Sequence, residues 1–123
     1  DAVTDTSQEE IAKSHRLAAT LGKAISLGNT DKLDEGVRLI EDVIRDADPE
    51  DHELHALAYN ALGRAYQQAG RSKDALLAYL HVDVLYSTVP AAHAEALAQL
   101  ATLWAAIGQE GRARHARQTL QER

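Results

Sequence analysis

Apolar residues along this chain recur at three- and four-residue spacing, the period that lays one stripe along an α-helix. Ile11, Leu17, Leu21 and Ile25 make the first series. Ser7 with Glu10 three residues later can close a capping box in front of it, and Gly28-Asn29 stops it, so a helix is predicted over about residues 7–27. Leu33, Val37, Ile40, Val43 and Ile44 make the second series, with Thr30 or Asp31 available as its cap and an end near Ala47. Asp48-Pro49-Glu50-Asp51 then supplies a capping carboxylate, a proline whose missing amide is harmless at the first helical position, and acids at the positive end of the dipole. The helix it starts is expected to run to Gly70.

Ser72 is the predicted cap of a fourth helix through Ala75, Leu76, Tyr79, Val82 and Leu85. Ser87-Thr88-Val89-Pro90 breaks that helix and starts a fifth, which stops at Gly108; a sixth occupies about residues 109–122. Arg112, Arg114, Arg117 and Arg123 place positive charge toward its carboxyl end, where the dipole favours it. All connections are short, so successive helices are expected to fold back as antiparallel hairpins.

The hairpins repeat one another. Leu21-Gly22 with Ile25, Leu62-Gly63 with Tyr66, and Leu100-Ala101 with Trp104 are offset by 41 and 38 residues. On the second helix of each pair Gly36, Ala75 and Ala113 correspond, then Ile40, Tyr79 and Arg117, then Val43, Val82 and Leu120. An interior glycine such as Gly63 costs a helix roughly 1 kcal/mol against alanine. Close approach of the two helices, with Tyr59, Tyr66 and Tyr79 filling the space around Gly63 and Ala75, offsets that cost by buried apolar area. Gly22 and Ala101 are expected to play the same part.

A bulky residue, Leu-Gly and Tyr on one helix, followed by Ala and an aromatic on the next, resembles the tetratricopeptide repeat. In the middle unit Tyr59, Leu62, Gly63, Tyr66, Gly70, Ala75 and Tyr79 stand where that family carries its structural residues. The resemblance covers residues 7 to 122, in units of about 7–47, 48–87 and 88–122. The outer units depart from the pattern, with a longer turn around Gly28 to Lys32 and Arg117 where an aromatic is usual. Spacings longer than the family's ~34 residues are placed in longer helices or in the loops around Asp48 to His52 and Ser87 to Pro90. The resemblance implies an all-α fold of six helices, a right-handed α-solenoid of three antiparallel hairpins forming a single domain over 1–123. It further implies a non-catalytic scaffold or adaptor that binds other polypeptides.

Composition agrees with a helical chain: 123 residues, no Phe, Met or Cys, and proline only at Pro49 and Pro90. This length suffices for one core without disulfide or metal. Net charge is −6, made of 14 acidic against 6 basic residues up to position 61 and 5 against 7 after it. An acidic total disfavours nucleic acid as a partner. No apolar run reaches the roughly 18 residues of a membrane span, so membrane insertion by this segment is not expected. The chain starts DAVTDTSQEE without methionine, which reads as a processed product or a piece of something longer and leaves localisation open. The alanine- and arginine-rich style points to a bacterial source.

In the tetratricopeptide family the first helices of the hairpins line the concave side, where peptides or partner helices lie. The corresponding positions here are Arg16, Ala19, Lys23 and Ser26, then Leu57, Asn60, Arg64 and Gln67, then Glu95, Ala98, Thr102 and Ala105. Asn60 and Arg64, four apart on one face, would grip a peptide backbone or carboxylate, with Lys23 reinforcing them. Arg16, Lys23, Asn60, Arg64 and Gln67 are therefore the candidate peptide-binding residues, and an acidic peptide or protein segment the candidate partner. The arrangement resembles the carboxylate clamp of some tetratricopeptide co-chaperones. Ala19, Ala98 and Thr102 stand where further clamp residues would be needed, so a full clamp is not expected. The alternative has these residues as solvated groups or as partners of the acidic second helices.

His52 and His55, three apart beside Asp51 and Glu53, invite a metal reading, but two side chains do not make a site. His15, His81, His93 and His115 are scattered and read as surface or half-buried residues. There is no Gly-rich phosphate loop, Gly-x-Ser-x-Gly elbow or His-Glu-x-x-His pair, so neither catalysis nor a cofactor is expected. The rival to a binding module is a structural or self-assembling spacer acting through its ends. That rival follows from the lack of a polar capping helix unless the Arg-rich sixth helix serves, and it makes a homo-oligomer the other candidate state.

Overall fold

A computed structural model describes residues 2–28 and 32–123, with the side chains of residues 8–26 and 32–123. It consists of six helices, and no strand occurs among the described residues. They are α1 (Ala2–Gly28), α2 (Leu33–Asp46), α3 (His52–Gln68), α4 (Ser72–Leu85), α5 (Pro90–Ala106) and α6 (Glu110–Gln121). Thr30 and Asp31, the two expected caps of α2, lie outside the described residues.

Three helix starts differ from the sequence expectation. The backbone of Ser7 lies well inside α1, which begins at Ala2, so the Ser7-Glu10 pair does not open the helix. The side chain of Ser7 is outside the described residues. The Asp48-Pro49 segment forms a turn in which the Asp48 carboxylate accepts from the Glu50 amide at 2.9 Å. The cap of α3 is Asp51, whose carboxylate accepts from the Leu54 amide at 3.2 Å and from the Ser14 hydroxyl at 2.8 Å. Asp51 wins because one carboxylate there serves both the helix start and α1, whereas Asp48 closes only its own turn. Ser72 is the first helical residue of α4 and not its cap. Pro90 stands at the first position of α5, as expected.

The ends of α3 and α5 are built alike. Gly70 and Gly108 take positive φ, 77° and 84°, which side chains resist. Arg71 N–H then donates to Tyr66 carbonyl at 2.8 Å and Gly70 N–H to Gln67 carbonyl at 3.0 Å. The same pair of bonds runs from Gln109 to Trp104 at 2.8 Å and from Gly108 to Ala105 at 3.1 Å. Both are Schellman closures, and they sit 38 residues apart, the offset of the sequence repeat.

The most extensive contacts are those of α1 with α2, α3 with α4 and α5 with α6. The pairs join through α2 with α3 and α4 with α5, and α3 also touches both α1 and α5. Among the described residues α2 and α4, and likewise α4 and α6, have no Cα pair within 8 Å, and α1 and α2 have none with α5 or α6. Two buried clusters follow this order. Leu21, Ala24, Ile40, Val43, Leu54 and Ala61 join α1, α2 and α3. Ala75, Tyr79, Val82, Leu97, Leu100 and Leu103 centre the other on α4 and α5. Full burial of each large side chain contributes about 1.5–3 kcal/mol, and the alanines between them let the helices approach.

Gly63 is the tightest point. A Cβ built there would stand 2.7 Å from Cε2 and Cζ of the Tyr79 ring, closer than real carbon contacts allow. Tyr79 is 1% exposed and its ring has nowhere to retreat. Ala101, at the equivalent place on α5, is also buried. Gly22 is not: it is exposed and a Cβ there would meet nothing within 4 Å, which corrects the expectation that it makes a close helix contact. The cause is the residue facing it in the repeat, since Ile40 occupies the place of Tyr79 and its shorter side chain does not reach across.

Alanine at these two glycines should act in opposite directions. Gly63→Ala is expected to lower stability by about 2–3 kcal/mol through overpacking against Tyr79. Gly22→Ala should raise it by roughly 0.5–1 kcal/mol, since only helix propensity changes. Urea unfolding followed by circular dichroism reads both; equal effects would remove the Gly63–Tyr79 contact as the cause.

Candidate interaction face

Helix α3 meets α5 along a line of polar side chains. The Asn60 amide donates to the Ala92 carbonyl at 3.0 Å, Arg64 pairs with Glu95, and the Gln67 amide donates to Gln99 Oε1 at 3.0 Å. Partner numbers rise together along the two helices, so α3 and α5 run parallel and α4 returns between them.

These bonds settle the environment of three candidate residues. Asn60 is 2% exposed, and its amide is already committed to α5, which corrects its placement as an outward residue. Its Oδ1 is buried without a hydrogen-bond partner among the described residues. Arg64 is part-exposed and spends its charge on Glu95, whose carboxylate is also part-exposed; such a pair is worth at most about 1 kcal/mol and can be exchanged. Gln67 donates to Gln99 and accepts at 2.6 Å from the Tyr79 hydroxyl. One hydrogen-bonded chain thus runs from α4 through α3 to α5. Burial pushes the Tyr79 hydroxyl up to about 12, with Arg64 lowering it and Glu95 raising it by smaller amounts.

Arg16 and Lys23 are exposed on α1, and among the described residues no hydrogen bond or ion pair ties either side chain to α3. Lys23 instead lines a depression of about 410 Å³ with Lys32, Glu35, Arg38, Leu39 and Asp42 of the α2 side. Leu57 is 44% exposed, and Ala19, Ala98 and Thr102 are exposed as well, so the face alternates small apolar surface with the Arg64–Glu95 and Gln67–Gln99 pairs. A carboxylate approaching Arg64 would compete with Glu95, an exchange of like for like that a second donor at Gln67 can assist.

Sequence reasoning placed Glu95 on this face without pairing it, and missed Ala92 and Gln99 as partners. The signal available was the near-constant separation of 31 to 32 residues between partners, which only the stagger of α5 on α3 makes meaningful. His93 was also missed. It is 5% exposed, with Nε2 2.6 Å from Asp83 Oδ1 and Nδ1 accepting from Arg123 Nε at 2.5 Å. Its imidazole thus bridges a carboxylate and a guanidinium. Arg123 also donates to the Ser87 carbonyl, fastening the segment after α6 to the α4–α5 turn.

His55 is buried with Nδ1 2.9 Å from the Asp51 carbonyl, and both it and His52 lie 5.9 Å from the Tyr86 ring. Among the described residues no group of three or more His, Asp or Glu side chains could hold a metal ion. No helix among them is long and apolar enough to cross a membrane. Comparison of the chain with protein-family models, with curated proteins and with solved structures found no match.

The raised Tyr79 value fixes a pH dependence. The unfolded chain loses this proton near the ordinary phenol value and the folded chain about two units higher, so the contribution is complete below pH 10 and is lost as pH rises toward 12. Tyr79→Phe should flatten the decline in stability between pH 9 and pH 11.5, a difference on the order of 1–2 kcal/mol by urea unfolding. An unchanged slope would mean that burial does not hold the hydroxyl in its neutral form.

Proposed function

We propose that this chain is a non-catalytic protein-interaction module, a tetratricopeptide-like right-handed α-solenoid of three antiparallel hairpins that holds a peptide or protein segment along α1, α3 and α5. The carrying observation is the asymmetry of helix contacts. Helices α1 and α5 both touch α3, while α4 approaches neither α2 nor α6. Odd helices closer together than even ones favour a stack bent toward the odd side, which is the geometry of a concave face. The matching glycine closures after α3 and α5 support the same repeat.

An acidic segment is the preferred ligand on this reading. Arg64 can exchange Glu95 for a ligand carboxylate, and the exposed Arg16 and Lys23 extend positive charge along α1. The alternative, a structural spacer assembling through its ends, is weakened by α6. That helix buries Ala113 and Ala116 and exposes Arg114, Arg117, Gln118 and Gln121, so α6 presents a largely polar outer face to anything stacking on it.

Titration of fluorescent acidic peptides by anisotropy, at low and high salt, tests the proposal. Arg64→Ala should weaken binding about fivefold or more, and Glu95→Gln, which frees Arg64, should tighten it by about the same factor, the scale of roughly 1 kcal/mol. Weakening by both variants, or binding indifferent to both, would move the site away from α3 and α5.

A further inference from the structure

Helix α4 is apolar on both sides. Its inner side buries Ala75, Leu76, Ala78, Tyr79 and Val82. Its outer side carries Leu77, Leu80, His81, Val84 and Leu85, which together line a depression of about 270 Å³. Leu77, Val84 and Leu85 are 58%, 72% and 59% exposed. A helix that is hydrophobic all round belongs in an interior, and half of this one faces outward.

The repeat shows that the fold does not require this. At the same places α2 has Arg38, Glu41, Asp42, Arg45 and Asp46. In the third unit they are His115, Gln118, Thr119, Glu122 and Arg123. Two units dress this surface with charged and polar groups and only the middle one makes it greasy. The outer residues recur at i, i+3, i+4, i+7 and i+8, the spacing of a helix packed along another helix.

We infer that this stripe is the contact surface for a second copy of the same chain, related by a two-fold axis near His81 with the two α4 helices antiparallel. Two observations favour a copy of itself over a foreign segment. The stripe holds no acid or base other than His81, so two copies oppose it without like-charge repulsion, while a charged partner gains nothing there. Leu77 and Leu85 stand four residues before and after His81, so the axis sets Leu77 of each copy against the Val84–Leu85 end of the other, an isologous fit.

The exposed aliphatic surface is on the order of 400 Å² per copy, short of the roughly 800 Å² per partner of a standard interface. Leu80 also borders a groove of about 310 Å³ in which Leu97, Leu100 and Trp104 are joined by Asp83, Arg112 and His115, so the uncharged contact ends there. A weak, reversible dimer follows, distinct from the α1, α3 and α5 face.

Sedimentation velocity of the chain from ~1 to 500 μM should show a concentration-dependent shift from monomer to dimer. Leu77→Glu and Val84→Glu, both on exposed positions, should each weaken the dimer more than tenfold with unchanged circular dichroism. Arg38→Glu, at the place of Leu77 on α2, should leave it intact. Because the chain has no cysteine, His81→Cys should give an oxidised, disulfide-linked dimer, and Asp42→Cys, its counterpart on α2, should not. A monomer throughout the range, or a dimer indifferent to Leu77→Glu and Val84→Glu, overturns the inference, as does a monomer whose stripe captures an added amphipathic peptide instead.

Discussion

The ring of Tyr79 lies where a side chain of residue 63 would be, and much of the molecule follows from that contact. Only a residue without Cβ admits the ring, and the ring in place lets α3 and α4 close over Ala75 and Val82. The roughly 1 kcal/mol that glycine costs a helix is small beside the burial of a whole aromatic side chain. Because Tyr79 enters from α4 and reaches past α3, its hydroxyl arrives at Gln67 and orients the amide that bonds Gln99 on α5. Packing inside the middle hairpin thereby positions polar groups on the far side of α3.

Those polar groups govern what the α3–α5 face offers. Asn60, Arg64 and Gln67 each meet a partner on α5, so the face is cross-linked within the chain itself. On the proposed reading, recognition there would be an exchange of partners, and Arg64–Glu95 is the member whose exposure makes exchange inexpensive. Asn60 is at the other extreme, buried and holding α5 in register. His93 between Asp83 and Arg123 does comparable work at the opposite edge, tying α4, α5 and Arg123 together.

Helix α4 connects the two surfaces. One side supplies the ring that fills the middle hairpin, and the other leaves Leu77, Val84 and Leu85 in water while α2 and α6 present charge. His81 lies flat on Tyr59, 4.5 Å between centroids and 4° between planes, so even the polar member of the stripe is held in a fixed pose. A face both rigid and uncharged is suited to contact with another rigid surface.

Six helices, their approximate ends and the Gly63 contact were legible in the sequence, because periodicity, proline at a first turn and glycine after a last turn act over a few residues. Where local signals competed, the sequence misjudged: Asp48 and Asp51 are both capable caps, and the reach of Ser14 from α1 decided for Asp51. Leu-Gly occurs at both 21–22 and 62–63, yet only Gly63 is a contact, since what matters is whether Ile40 or Tyr79 stands opposite. The candidate face depended most on tertiary structure. Whether Asn60 is free or buried, and whether Arg64 is available or paired, is set by a helix some 31 to 32 residues further along the chain, and no short-range pattern carries the stagger of one helix on another.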